Sequence, residues 1–185
     1  VEGIEGARGG ASVEELFDAA RQRIREAIIE ALDDRPEMLG MATTLTLARL
    51  CDGGVVEIGH AGDSRAYLLT DADLVQITED HTHGMELVAS GEATIEEARS
   101  MRDWHVLSNW IGFEAHRLET HRLALDVGDR LILCTDGLTN MVDDDSIMAI
   151  TSGVPPAEAV ANLIDAANTA GGQDNISIVI VEVID

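Results

Sequence analysis

The chain has 185 residues, 45% apolar and 3% aromatic, which suits one domain with a core of Leu, Ile, Val and Ala rather than two domains. Lys plus Arg number 12 against 35 Asp plus Glu, and the resulting net charge of −23 disfavours nucleic acid and anionic membranes as partners. No apolar run reaches the roughly 18 residues of a membrane-spanning helix, and no basic-then-apolar leader is present, so the expected location is the cytoplasm.

Cys51 and Cys134 lie in apolar, strand-like contexts and read as buried thiols in a reducing compartment, not as a disulfide framework. Ser12 followed by Glu15 has the form of a capping box. Behind it, Val13, Leu16, Phe17, Ala20, Ile24, Ala27, Ile28, Ala31 and Leu32 recur at helical spacing, which predicts a helix over 13–32 that ends before Pro36. From Thr43 the period changes. "TTLTLARL", "VVEIGHAG", "SRAYLLT" and "DLVQIT" read as three or four successive antiparallel strands, broken by turns at Asp52-Gly53-Gly54 and Thr70-Asp71-Ala72. Residues 80–112 read as short helices: "HGMELVASG", "TIEEARSM" capped by Thr94 and Glu97, and "DWHVLSNW". "HRLETHRLAL" and "RLILC" read as strands about a turn at 126–129, then 144–151 and 156–170 as helices, and "ISIVIVEV" as a closing strand apolar on both faces. With no repeat and no linker, the pattern is one α+β domain with antiparallel sheets.

Three aspartates sit at strand ends beside glycine: Asp63 after Gly62, Asp136 before Gly137, and Asp174 after Gly171-Gly172. Asp-Gly and Gly-Asp are also common turn dipeptides, so each position taken alone reads equally as a turn. Gathering three carboxylates is costly without a counter-charge, and Arg65 is the only base within two positions of any of them. A divalent cation solves this, and hard oxygen donors favour Mg²⁺ or Mn²⁺ over zinc.

Together these stretches resemble the metal-dependent protein phosphatases, the type 2C Ser/Thr phosphatases. "GHAGDSRAYLL" is similar to the family's Gly-Asp-Ser-Arg strand, "LCTDGL" to its Asp-Gly motif and "GGQDNISIVIVEV" to its Gly-x-Asp-Asn motif, with "GMATTLTLARL", "ITEDHT" and "LALDVGDRLILCTDGL" in matching order. The resemblance covers residues 13–183. It implies two antiparallel β-sheets in a sandwich flanked by helices (α-β-β-α), within a single domain over 1–185, and a mobile flap over 83–112. It also implies two Mn²⁺ or Mg²⁺ ions activating a water for in-line attack on phosphorus, with a third, weaker metal site. By motif position Asp136 and Asp174 hold one ion of the pair, Asp63 with Asp136 serves the third site, and Asn175 orients the loop. The implied substrates are phosphoserine and phosphothreonine in proteins, and the implied counterpart is a Ser/Thr kinase.

The family's Arg strand has no counterpart in these residues. "VEGIEGARGG" is read either as a degenerate Asp-Gly-x-Gly-Gly motif, with Glu2 and Gly3 as ligands, or as a Gly-rich terminus without a site. The alternative to the enzyme is therefore a weakened or inactive phosphatase-like domain that acts by docking. Among the other residues, His60 is expected to pack, His81 and His83 to serve a capped turn, Arg65 to pair with Asp63, and Trp104 and Trp110 to pack the flap.

Overall fold

The structure, a computed structural model, describes residues 10–112 and 117–184. The first helix, α1 (Val13–Asp34), begins with the expected capping box: Glu15 N–H donates to Ser12 Oγ at 3.2 Å, and Ser12 N–H donates to Glu15 Oε2 at 2.8 Å. It runs two residues beyond the predicted end and stops at Arg35, ahead of Pro36. Its apolar stripe places Phe17 and Ile24 against Leu45, Leu47, Ala61 and Leu118.

Among the described residues, seven strands form two antiparallel sheets. The first contains β1 (Leu45–Leu50), β2 (Val55–Ala61) and β5 (Glu119–Ala124), in the order β1-β2-β5. The second contains β3 (Arg65–Leu69), β4 (Leu74–Gln76), β6 (Arg130–Cys134) and β7 (Ile178–Glu182), in the order β4-β3-β6-β7. Between the sheets, Val56 and Ile58 pack on Ala66 and Leu131. On the far side of the second sheet, Tyr67, Leu69, Ile132 and Cys134 meet Leu138, Ile147, Leu163 and Ala167. Those last residues belong to α4 (Asp136–Thr139), α5 (Asp144–Thr151) and α6 (Pro156–Thr169). The layers are therefore α-β-β-α, as expected. They also explain "RLILC" as an unbroken apolar run: Leu131 faces the other sheet while Ile132 and Cys134 face helices, so water meets neither side.

Three local expectations are corrected. The four strands from 43 to 78 do not pair in succession. β1–β2 and β3–β4 are hairpins, but β2 and β3 lie in different sheets, and the chain crosses between them at Gly62–Ser64. Gly62 makes the crossing possible: its φ is +125°, and a Cβ there would lie 2.4 Å from Thr44 Cγ2. The segment 83–112 carries α2 (His83–Ala89) and α3 (Ile95–Ser100), but 103–110 forms turns and a bridge from Leu107 to Thr82 instead of a helix. The carbonyls a helix would use internally are taken elsewhere: His83 N–H donates to Val106 O at 2.8 Å and Gly84 N–H to Trp104 O at 3.0 Å. Finally, Cys134 is buried as expected, but Cys51 is only half-buried.

Candidate functional site

Antiparallel pairing brings the three aspartates to one end of the second sheet. β3 starts where β6 ends (Arg65 opposite Cys134), and β7 starts beside the same residue (Cys134 opposite Ile178). Asp63 precedes β3 in the crossing, Asp136 follows β6 as the first residue of α4, and Asp174 precedes β7. The loop before β7 is stitched to the end of β6: Ser177 N–H donates to Thr135 Oγ1 at 3.0 Å, and Thr135 Oγ1 donates to Asn175 O at 3.2 Å. The approach is close enough that a Cβ on Gly137 would lie 2.2 Å from Asn175 O, so only glycine fits there.

Asp63 and Asp136 both line a cavity of about 380 Å³, together with Asp80, Trp104 and Gln173. Asp174 is exposed and follows the cavity-lining Gln173 in the chain, and its Oδ1 accepts the Asn175 N–H at 2.6 Å. Asn140 Nδ2 donates to Asp136 Oδ2 at 3.2 Å. Burial, then the negative charge of Asp136, pushes the Asp63 carboxyl up to about 6. Among the described residues neither Asp63 nor Asp136 has an ion-pair partner. Glu2 and Gly3 lie outside the described residues.

Arg65 does not pair with Asp63. Its Nε and Nη2 grip Asp80 Oδ1 and Oδ2 at 2.8 and 2.6 Å, and Nη1 donates to Tyr67 Oη at 2.8 Å. Asp80, fifteen residues along the chain, offers the bidentate geometry that a guanidinium prefers, whereas Asp63 points into the cavity. Asp63 and Asp136 are thus left as uncompensated hard-oxygen donors around a common space, and this donor set fits a divalent cation such as Mn²⁺ or Mg²⁺.

A second group of possible ligands, His60, His81 and Glu119, does not fit a metal. His60 Nε2 faces the Gly62 and Glu79 carbonyl oxygens at 3.0 and 3.1 Å, so it carries the proton, and Nδ1 takes the Thr46 hydroxyl at 2.9 Å. Burial, then the neighbouring His81, holds His60 below the usual imidazole range. His81 is buried rather than serving a turn cap; the cap of α2 is Thr82 Oγ1, which accepts the Met85 N–H.

Sequence reasoning missed the Arg65–Asp80 pair, Gln173 and the place of Trp104 on the cavity wall. Asp80 was visible in "ITEDHT", but nothing local says that its partner lies on β3. The Trp104 backbone lies against Gly84, and the residue also lines the cavity.

A model of the protein phosphatase 2C family matches residues 5–176. The Ser/Thr protein phosphatase PstP of Mycobacterium tuberculosis H37Rv is 39% identical over 170 residues, 91% of this chain but 33% of PstP. The Ser/Thr phosphatase stp of Listeria monocytogenes F2365 is 34% identical over 172 residues, 92% of this chain and 68% of that protein. The chain thus spans about a third of PstP. The crystal structure of M. tuberculosis PstP/Ppp superposes with a TM-score of 0.85 at 34% identity, covering 96% of this chain and 74% of that one. The PstP catalytic domain, solved with 2 manganese ions, gives a TM-score of 0.82 at 34% identity, covering 97% of this chain and 74% of that one. Motif order, layer architecture and these likenesses agree: the chain belongs to the protein phosphatase 2C family.

Proposed function

We propose that this chain hydrolyses phosphoserine and phosphothreonine in proteins, using Mn²⁺ or Mg²⁺ held by Asp63, Asp136 and Asp174. The observation that carries this reading is the pair of carboxylates, Asp63 and Asp136, facing one cavity without a basic partner among the described residues. The named activities of PstP and stp support the reaction, and the manganese reported for PstP supports the metal. In this reading Asp136 and Asp174 share one ion and Asp63 with Asp136 a further, weaker one, with Glu2 and Gly3 as the candidates for the remaining ligands. Bound there, a divalent cation supplies acidification of water and neutralisation of phosphoryl charge.

The protein's own residues orient and enclose. Asn140 restrains Asp136, and the Thr135–Asn175–Ser177 bonds hold the Asp174 loop against α4. Arg65, occupied by Asp80 and Tyr67, shapes the wall instead of gripping phosphate. A larger cavity of about 670 Å³ shares Arg65, Trp104, Asn140 and Met141 with the first. Trp104 and His105 bring segment 83–112 to the cavity wall, in keeping with a flap. The reading extends to one domain over 1–185, to a Ser/Thr kinase as the opposing enzyme and to a cytoplasmic setting. The absence of a membrane-spanning helix among the described residues and two free cysteines are consistent with that setting.

The test is p-nitrophenyl phosphate hydrolysis by the 185-residue chain with and without Mn²⁺, beside Asp136→Asn. Manganese-dependent turnover that is lost in the variant supports the reading. No turnover from folded protein refutes it and favours a docking domain.

A further inference from the structure

The turn that carries Asp63 is held by several neighbours, Thr44, Thr46 and His60 among them, and the buried residue His81 bonds both backbone groups of Gly62. His81 N–H donates to Gly62 O at 2.8 Å, and Gly62 N–H donates back to His81 Nδ1 at 3.1 Å, so both backbone groups of the residue before Asp63 are satisfied by His81. The next residue back along that segment, Asp80, holds Arg65, two residues after Asp63. The 80–81 segment therefore grips the chain on both sides of the carboxylate.

The ring of His81 is itself fixed. Asn109 is oriented by Arg117, whose N–H donates to Asn109 Oδ1 at 2.9 Å and whose carbonyl accepts from Nδ2 at 2.7 Å. The second Nδ2 hydrogen then points to His81 Nδ1 at 3.0 Å. With two donors aimed at it, Nδ1 carries no proton, so in the neutral ring the proton sits on Nε2. Nε2 lies 2.9 Å from Glu119 Oε2, a close contact though not aligned as a hydrogen bond. Glu119 is held in turn by His121 and by the Glu79 N–H. On its other face the ring stacks on His60, with centroids 4.8 Å apart. His81 O accepts the Ser108 N–H at 2.9 Å, so the same residue also anchors the end of segment 83–112.

We propose that His81 is a positioning residue for the candidate metal ligand Asp63, acting through its Nδ1 on the Gly62 peptide. This inference rests on the functional reading above. A buried group that orders the backbone beside a ligand reduces the reorganisation needed on metal binding, and loss of such outer partners commonly weakens binding about 10- to 100-fold. The atom involved can be tested by choice of amide: in His81→Asn, Oδ1 takes the place of Nδ1 and still accepts the Gly62 N–H, whereas His81→Gln sets its amide where Nε2 was.

Mn²⁺ titration calorimetry on the 185-residue chain, with amide exchange at Gly62 in metal-free protein, decides the matter. His81→Gln should lose Gly62 protection and bind Mn²⁺ about tenfold or more weakly, and His81→Asn should restore both. In an Asp63→Asn background, His81→Gln should cost no further affinity. Unchanged affinity in folded His81→Gln, failure of Asn to rescue, or an equal loss without the Asp63 carboxylate overturns the proposal. A wild-type chain that keeps Gly62 protected but binds no Mn²⁺ overturns the functional reading, and the metal-positioning role with it.

Discussion

Gly137→Ala isolates the contact that brings the Asp174 loop to Asp136. The added Cβ would lie 2.2 Å from Asn175 O, where ordinary contacts begin at 3.4 Å, so the two backbones must separate by about 1.2 Å. Both atoms are backbone or attached directly to it, so no rotamer change relieves the clash. The movement exceeds the roughly 0.5 Å within which a binding constellation must be held. It also strains the bonds from Thr135 Oγ1 to Asn175 and Ser177. Overpacking costs about 1–3 kcal/mol, and replacing glycine in a helix returns up to about 1 kcal/mol, so the net loss of stability is about 0–3 kcal/mol. Manganese affinity, by contrast, should fall at least about tenfold, or ~1.4 kcal/mol. Calorimetric Mn²⁺ titration beside urea unfolding separates the two effects. Gly153→Ala is the control: its φ is +72° with nothing within 4 Å of the new Cβ, so it should cost about 1–2 kcal/mol of stability and leave affinity unchanged. A folded Gly137→Ala that binds Mn²⁺ as tightly as wild type would refute the idea that loop and helix must touch.

Tyr67→Phe removes a buried hydroxyl that accepts from Arg65 Nη1 at 2.8 Å and donates to Asp144 Oδ1 at 3.0 Å; urea unfolding should show a loss of about 1–3 kcal/mol. Ile132→Ala opens a cavity between the second sheet and its helices and should cost about 2–5 kcal/mol by the same measurement. Burial alone would raise the Glu119 carboxyl, but contacts with His81, His121 and the Glu79 N–H outweigh it and bring the group down to about 2 from its usual 4.5. Because the folded value is the lower one, this stabilisation is present above about pH 4.5 and is lost as pH falls toward 2. Allowing for solvent screening, it amounts to about 1–2 kcal/mol. Unfolding free energies at pH 5 and pH 3 should show a smaller drop in Glu119→Gln than in wild type, and parallel drops would remove Glu119 as the cause.

Periodicity and turn chemistry are local properties, and they were legible in the chain. The helix from Val13, the two hairpins, the helices over 144–151 and 156–169, and the apolar final strand follow from side-chain spacing, caps and glycines that act within a few residues. The placement of Asp63, Asp136 and Asp174 at strand ends was legible for the same reason. Sheet membership was not. β2 and β3 read as neighbours, yet they belong to different sheets, because pairing is settled by partners such as β5 and β6 that lie some sixty residues further on. The partner of Arg65 was misread for the same reason, since proximity along the chain favoured Asp63 while the folded β3 presented the guanidinium to Asp80. Residues 103–110 read as a short helix, but the Trp104 and Val106 carbonyls were claimed by the start of α2. The sequence by itself determined the elements and the carboxylates at their ends. Only the tertiary structure decided that Asp63 and Asp136 share a cavity, that the loop carrying Asp174 is bonded to the end of β6, and that His81 holds the turn between the sheets, because each depends on distances between segments that no local pattern encodes.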